Sequence, residues 1–257
     1  MHRDRALAWR DGAIVAEDEG TAPGPGCYTT GRWTGREIRW STAVVARLVR
    51  DARALGYGEV SHVDVAIGMH TLGALHFDGG EGIVRMEARR REDRGPTVIG
   101  TARPVGRRVA PARVGVSPVV HPGPARTPGA KIPRPEIDAA RDDRDARGLD
   151  EVLLLDAGQR LVEGSRCNVL LHTADGRWAT PPLARGGVAG VALGLLTARL
   201  PDLARVDLSL DDVRCAREIV LTNGARGAFP ARLMEGEPSA GFAPGPLLEA
   251  ARRALAD

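Results

Sequence analysis

The sequence predicts an α+β protein built as two domains. Three observations predict it. Strand-like and helix-like stretches are mixed with hairpin signals, instead of alternating one for one as in a doubly wound parallel sheet. The chain has 257 residues, enough for one large or two smaller domains. Prolines and glycines crowd the segment VVHPGPARTPGAKIPRP, Val119 to Pro135, a composition that suits a connection between domains. The predicted division is a small N-terminal domain over residues 1–118, a linker over 119–130 and a C-terminal domain over 131–257.

Apolar runs at Ala6–Trp9 and Ala13–Ala16, and the stretch Cys27–Trp33, read as strands between Gly, Pro and Asp turns. From Ser41 to Leu55 the period changes. Val44, Val45, Leu48, Val49, Ala52 and Leu55 recur at helical spacing, with Ser41 as N-cap and Gly56 as the stop. A second helix is predicted over Val63–Leu75, then strands over Gly82–Ala88 and Thr97–Ala102. Beyond the linker, Glu136–Arg147 reads as a charged helix with a narrow apolar face. DEVLLLD, Asp150–Asp156, reads as a buried strand, and LVEGSRCNVLLH as strand, kink, strand. Asp175-Gly176 marks a hairpin. Val191–Leu200, following GGVAG, is a predicted helix. Glu218–Thr222 is a strand running into the turn Asn223-Gly224, and Leu247–Leu255 a terminal helix.

Composition narrows the function classes. The net charge is +3, and basic residues are interleaved with acids, as in ARDDRDAR. No basic stripe carries interleaved aromatics, which argues against a nucleic-acid partner. No apolar run reaches roughly 18 residues, so no membrane span is expected. The start, MHRDRALAWRDG, lacks the apolar run of a signal peptide. Cys27, Cys167 and Cys215 are odd in number and far apart. They suit neither a disulfide framework nor a metal motif, so a reduced, cytoplasmic setting without a metal is expected.

Among the 36 lysine and arginine residues, Lys131 alone is lysine. Arginine stays protonated, whereas a lysine amine can lose its proton and condense with a carbonyl. Lys131 is therefore a candidate covalent catalyst. If it carries an aldehyde cofactor, pyridoxal phosphate is the commonest, and that cofactor makes three demands. Its ring nitrogen needs an acidic partner, its phosphate needs helix-start amides, and an arginine often assists. Glu163 in VEGSRCN, the helix start Gly190-Val191-Ala192, and Arg47 on the first long helix are candidates for these roles.

Taken in order, these residues resemble class IV (fold type IV) pyridoxal-phosphate enzymes. The resemblance runs through Lys131, GLDEVLLLDAGQRLVEGSRCNVLLHTADGRWATPPL, GVAGVALGLL and EIVLTNGARGAFPA, and upstream through GPGCYTTGRW and Ala46-Arg47-Leu48. It implies a D-amino-acid-aminotransferase-like fold with a small N-terminal and a larger C-terminal domain, usually a homodimer. It implies that Lys131 links the cofactor, Glu163 holds the ring nitrogen, and Arg47 with the Val191 and Ala192 amides holds the phosphate.

CYTTGR and TNGARGAFPA are similar to 4-amino-4-deoxychorismate lyase. Asn223 stands where the lyase has Asn and is a candidate cofactor contact. Gly224 replaces the phosphate-binding Thr of branched-chain aminotransferases, and Glu136 stands where aminotransferases carry a Tyr near the cofactor. The chain departs from the family at GVAL: Ala192 has no hydroxyl and Leu193 replaces an arginine. The lyase's Asn shortly after the lysine is missing from KIPRP, and the connector EDEGTAPGPG is shorter than usual.

The resemblance thus implies a folate-pathway lyase releasing pyruvate and 4-aminobenzoate from a small amino substrate. A branched-chain or D-amino-acid transaminase is the alternative, and a degenerate non-catalytic member the second. Arg90, Arg94 and Arg134 are candidates for substrate carboxylates. Either Thr29 or Thr30 would face the site, since strand alternation allows only one.

Overall fold

The computed structural model describes residues 7–16, 25–91, 95–106, 111–234 and 244–256. The chain separates into two compact units, Met1–Arg107 and Arg108–Asp257.

In the first unit, five strands form an antiparallel sheet: β1 (Leu7–Arg10), β2 (Ala13–Ala16), β3 (Gly26–Trp33), β4 (Gly82–Arg89) and β5 (Thr97–Pro104), in the order β2-β1-β5-β4-β3. Two helices, α1 (Ser41–Ala54) and α2 (His62–Phe77), pack on it. Val44, Val45, Leu48 and Ala52 form the buried stripe of α1, as their spacing predicts. The N-cap is not Ser41 but Trp40, which takes a left-handed conformation with φ 55°. The Ser41 N–H already donates to the Ile38 carbonyl at 3.1 Å, in the turn that feeds the helix, so Ser41 falls one residue inside.

The second unit holds β6 (Ala112–Val116), β7 (Glu151–Leu155), β8 (Leu161–Gly164), β9 (Asn168–His172), β10 (Trp178–Thr180), β11 (Leu203–Arg205), β12 (Glu218–Asn223) and β13 (Gly227–Leu233). Its helices are α3 (Pro135–Ala146), α4 (Val191–Arg199), α5 (Leu210–Arg214) and α6 (Pro246–Ala254). The sheet order is β11-β10-β9-β12-β13-β6-β7-β8. β6 lies parallel to both β7 and β13. These long-range parallel pairings have no local turn signal.

β7 explains the apolar run EVLLL. All five residues are buried. Val152 and Leu154 pack with Ile137 and Ala140 of α3. Leu153 and Leu155 join Leu161, Val169, Leu221 and Val213 in the main core. A strand covered on both faces reads as continuous rather than alternating. Among the described residues, no helix is long and apolar enough to cross a membrane.

Candidate active site

Several groups converge on one loop of the second unit, Gly186–Gly190, which leads into α4. The Val188 N–H donates to Glu163 Oε2 at 2.8 Å, and the Val188 carbonyl accepts from Asn168 Nδ2 at 2.9 Å. Glu163 sits on β8 opposite Leu154 and is only 6% exposed. A carboxylate so buried needs donors, and the Val188 amide is one. On its other oxygen, Oε1, His121 Nε2 stands 3.6 Å away.

The segment that carries Lys131 is tied to the same loop. The Ala189 N–H donates to the Gly129 carbonyl at 2.9 Å, two residues before Lys131. Gly129 has φ +77°, and a Cβ there would come within 2.9 Å of the Ala189 methyl. Glycine therefore permits both the backbone conformation and the close approach. Lys131 itself is partly exposed.

The start of α4 is open in a specific way. Its N-cap is Gly190, which supplies no side-chain cap. The first i→i−4 bond runs from the Gly194 N–H to the Gly190 carbonyl at 2.9 Å, so the Val191, Ala192 and Leu193 amides precede it. A Cβ at position 190 would lie 2.1 Å from Asn168 Oδ1. Thr222 stands opposite Asn168 in the β12–β9 pairing, so both side chains leave one face of the sheet. Thr222 is fully buried, and its Oγ1 has no hydrogen-bond partner among the described residues. Such orphaned hydroxyls are rare in native interiors. Helix-start amides beside an unused hydroxyl are suited to an anion.

The family model for amino-transferase class IV matches residues 26–234. The chain belongs to this family. Class IV enzymes depend on pyridoxal 5′-phosphate, and the chain is a pyridoxal-phosphate-dependent enzyme. Its fold is the type IV fold of that family. Among solved structures it is similar to 4-amino-4-deoxychorismate lyase from Pseudomonas aeruginosa, at 25% identity over 97% of this chain and 98% of that one, TM-score 0.79. It is also similar to the branched-chain aminotransferase from Thermoproteus uzoniensis with norvaline, at 21% identity, 98% and 95% coverage, TM-score 0.78. A hypothetical aminotransferase from Mycobacterium tuberculosis in its PLP-bound form matches at 17% identity, 98% coverage of both chains, TM-score 0.79. The last two likenesses concern the fold. No curated protein matches the chain.

The residues of the second unit fit the class IV cofactor. Its phosphate suits the α4 start, where the orphaned Thr222 hydroxyl offers a donor that Ala192 lacks. Its ring nitrogen suits the buried Glu163 carboxylate, and its aldehyde suits Lys131. Asn223 is used differently. Its Oδ1 accepts from the Ala225 and Arg226 amides at 3.1 and 2.9 Å, and its Nδ2 lies 3.2 Å from Cys167 Sγ. Its side chain builds the turn after β12. Arg134 donates to the Gly123 carbonyl at 2.9 Å and so braces the preceding loop.

The remaining candidates lie in the first unit. Arg47 is buried on α1 and donates to Thr29 Oγ1 at 2.8 Å, and Thr29 donates to the Val44 carbonyl at 2.9 Å. Among the described residues Arg47 Nε has no hydrogen-bond partner, and burial lowers the guanidinium pKa to about 10 against the opposing pull of Asp51. Thr29 therefore faces α1, and Thr30 points to the opposite face of β3. On that face Thr30 pairs with Arg85, whose guanidinium lies 3.8 Å over the Tyr28 ring and 3.0 Å from Glu87. Arg90 is exposed, and Arg94 lies outside the described residues. Sequence reasoning missed Thr222 and His121. Neither stands out in a one-dimensional pattern: one is a polar residue in an apolar strand, the other lies within a proline-rich stretch.

Proposed function

We propose that the chain is a 4-amino-4-deoxychorismate lyase, releasing pyruvate and leaving 4-aminobenzoate. The turn after β12 carries this reading. Asn223 folds its side chain over its own turn amides, and Gly224 offers no hydroxyl where branched-chain aminotransferases bring a threonine. The similarity to the Pseudomonas aeruginosa lyase supports it.

When bound, the cofactor supplies an aldehyde that links to amines and a ring that draws in electrons. The rest falls to the chain's own groups. The α4 amides and the Thr222 hydroxyl bind the phosphate, and Arg47 is proposed as a further phosphate contact. The Glu163 carboxylate accepts a hydrogen bond from the ring N–H and keeps the proton there. Lys131 would supply the linking amine, and the same amine, when free, would take a proton from the substrate ring and return one to the departing enolpyruvyl group, so that pyruvate forms. We also propose that the enzyme acts as a homodimer, which its mass in solution tests.

The test is pyruvate release from aminodeoxychorismate by the cofactor-loaded protein with no amino acceptor present. Release at a steady rate is expected, and Lys131→Arg should abolish it while the fold persists. Exchange between an amino acid and a keto acid, without that release, would replace the lyase by a transaminase.

A further inference from the structure

We infer that His121 is a positioning residue for Glu163: its Nε2–H holds the Glu163 carboxylate in the orientation that meets the cofactor's ring nitrogen. This rests on the assignment of Glu163 to that nitrogen.

The His121 ring is buried, with its side chain fully shielded from solvent. Its main chain is pinned to β7, the N–H donating to the Leu155 carbonyl at 2.7 Å. The tautomer follows from the ring's other contact. The Gly123 N–H donates to Nδ1 at 3.1 Å, so Nδ1 is an acceptor and the ring proton sits on Nε2. Among the described residues that Nε2 has no hydrogen-bond partner, and the Glu163 Oε1 atom faces it at 3.6 Å.

The gap is beyond hydrogen-bond length. Site hydrogen bonds commonly tighten when a ligand binds. Val188 already holds Oε2. A second donor on Oε1 would leave the carboxylate one fixed plane, with its free lone pairs directed away from both donors. Each oxygen faces its own segment: the Gly186–Gly190 loop donates to Oε2, and the segment after β6 presents His121 to Oε1. The arrangement also accounts for a buried imidazole whose second nitrogen is otherwise idle, an expensive omission in an interior.

Two substitutions separate this role from simple anchoring of the loop. Asn at position 121 reproduces the Nδ1 acceptor for Gly123 and removes the distal donor. Gln reproduces the distal donor and removes the acceptor. The readouts are the dissociation constant of pyridoxal phosphate and the ¹⁵N resonance of ring-labelled cofactor bound to each variant, with Glu163→Gln as reference. The expected result is that Glu163→Gln moves the ¹⁵N resonance strongly. His121→Asn should move it in the same direction and weaken cofactor binding about tenfold, while His121→Gln stays close to the native protein. If Glu163→Gln leaves the resonance in place, the assignment of Glu163 falls and the inference falls with it. If Glu163→Gln moves it but His121→Asn does not, only the inference is overturned. Loss in His121→Gln with retention in His121→Asn, loss in both, or an unfolded Asn variant would mark His121 as a loop anchor instead.

Discussion

Strand β12 meets two helix starts and treats them differently. At its first residue, Glu218 closes α6: Oε1 accepts from the Leu247 amide at 3.1 Å and Oε2 from the Leu248 amide at 3.2 Å. Four residues on, on the same face, Thr222 stands across from Asn168, whose Oδ1 lies against Gly190 at the start of α4, and the Thr222 hydroxyl has no partner among the described residues. Both helices begin on a glycine pressed against a polar side chain. A Cβ on Gly245 would sit 2.2 Å from Glu218 Cδ, and one on Gly190 would sit 2.1 Å from Asn168 Oδ1. At α6 the protein supplies its own anion. At α4 it supplies donors and no anion, which is the difference between a structural cap and a binding site.

The largest effect expected from breaking this contrast is at the closed end. Glu218→Ala leaves two buried amides and His172 without their carboxylate, which stands 3.1 Å from His172 Nδ1. It should cost about 3 kcal/mol of stability, read by denaturant unfolding of the cofactor-free protein. Thr222→Val should do the reverse. Removing an orphaned hydroxyl leaves the cofactor-free protein as stable as before or slightly more so, while the dissociation constant for pyridoxal phosphate rises roughly tenfold. A drop in stability with unchanged cofactor binding would erase the contrast.

The smallest effect concerns α5, a third helix start, which is closed by a capping box. Ser209 Oγ accepts from the Asp212 amide, and the Asp212 carboxylate accepts from the Ser209 N–H at 2.7 Å. Ser209→Ala should cost about 1 kcal/mol and leave cofactor binding alone. The Ser209 backbone N–H, helped by its hydroxyl, holds the Asp212 carboxyl below its ordinary range. Its stabilising contribution is therefore full above the ordinary carboxylate pKa and is lost as pH falls through the lower, folded-state value. The acid-side loss should be smaller in Ser209→Ala, as unfolding between pH 2 and 6 would measure.

What could be read in the sequence divides along similar lines. The helix start at Gly190 was legible because glycine before an apolar periodic run has a local signature. Lys131 was legible because a single lysine among arginines is a chemical oddity. EVLLL announced a buried strand by its lack of alternation. Thr222 and His121 were not legible, because their significance is that a polar atom is buried without a partner. That depends on which distant segments cover it. The parallel β13-β6-β7 pairing was hidden for the same reason. Ser41 looked like a cap by residue type, but the Trp40 turn had already claimed its amide.

The single lysine of the chain makes the cofactor linkage directly testable. The purified protein is saturated with pyridoxal phosphate, reduced with borohydride, digested and mapped by mass spectrometry. One cofactor adduct per chain is expected, on Lys131, with loss of the visible absorbance band on reduction. A protein that takes up no adduct at Lys131 would contradict that linkage.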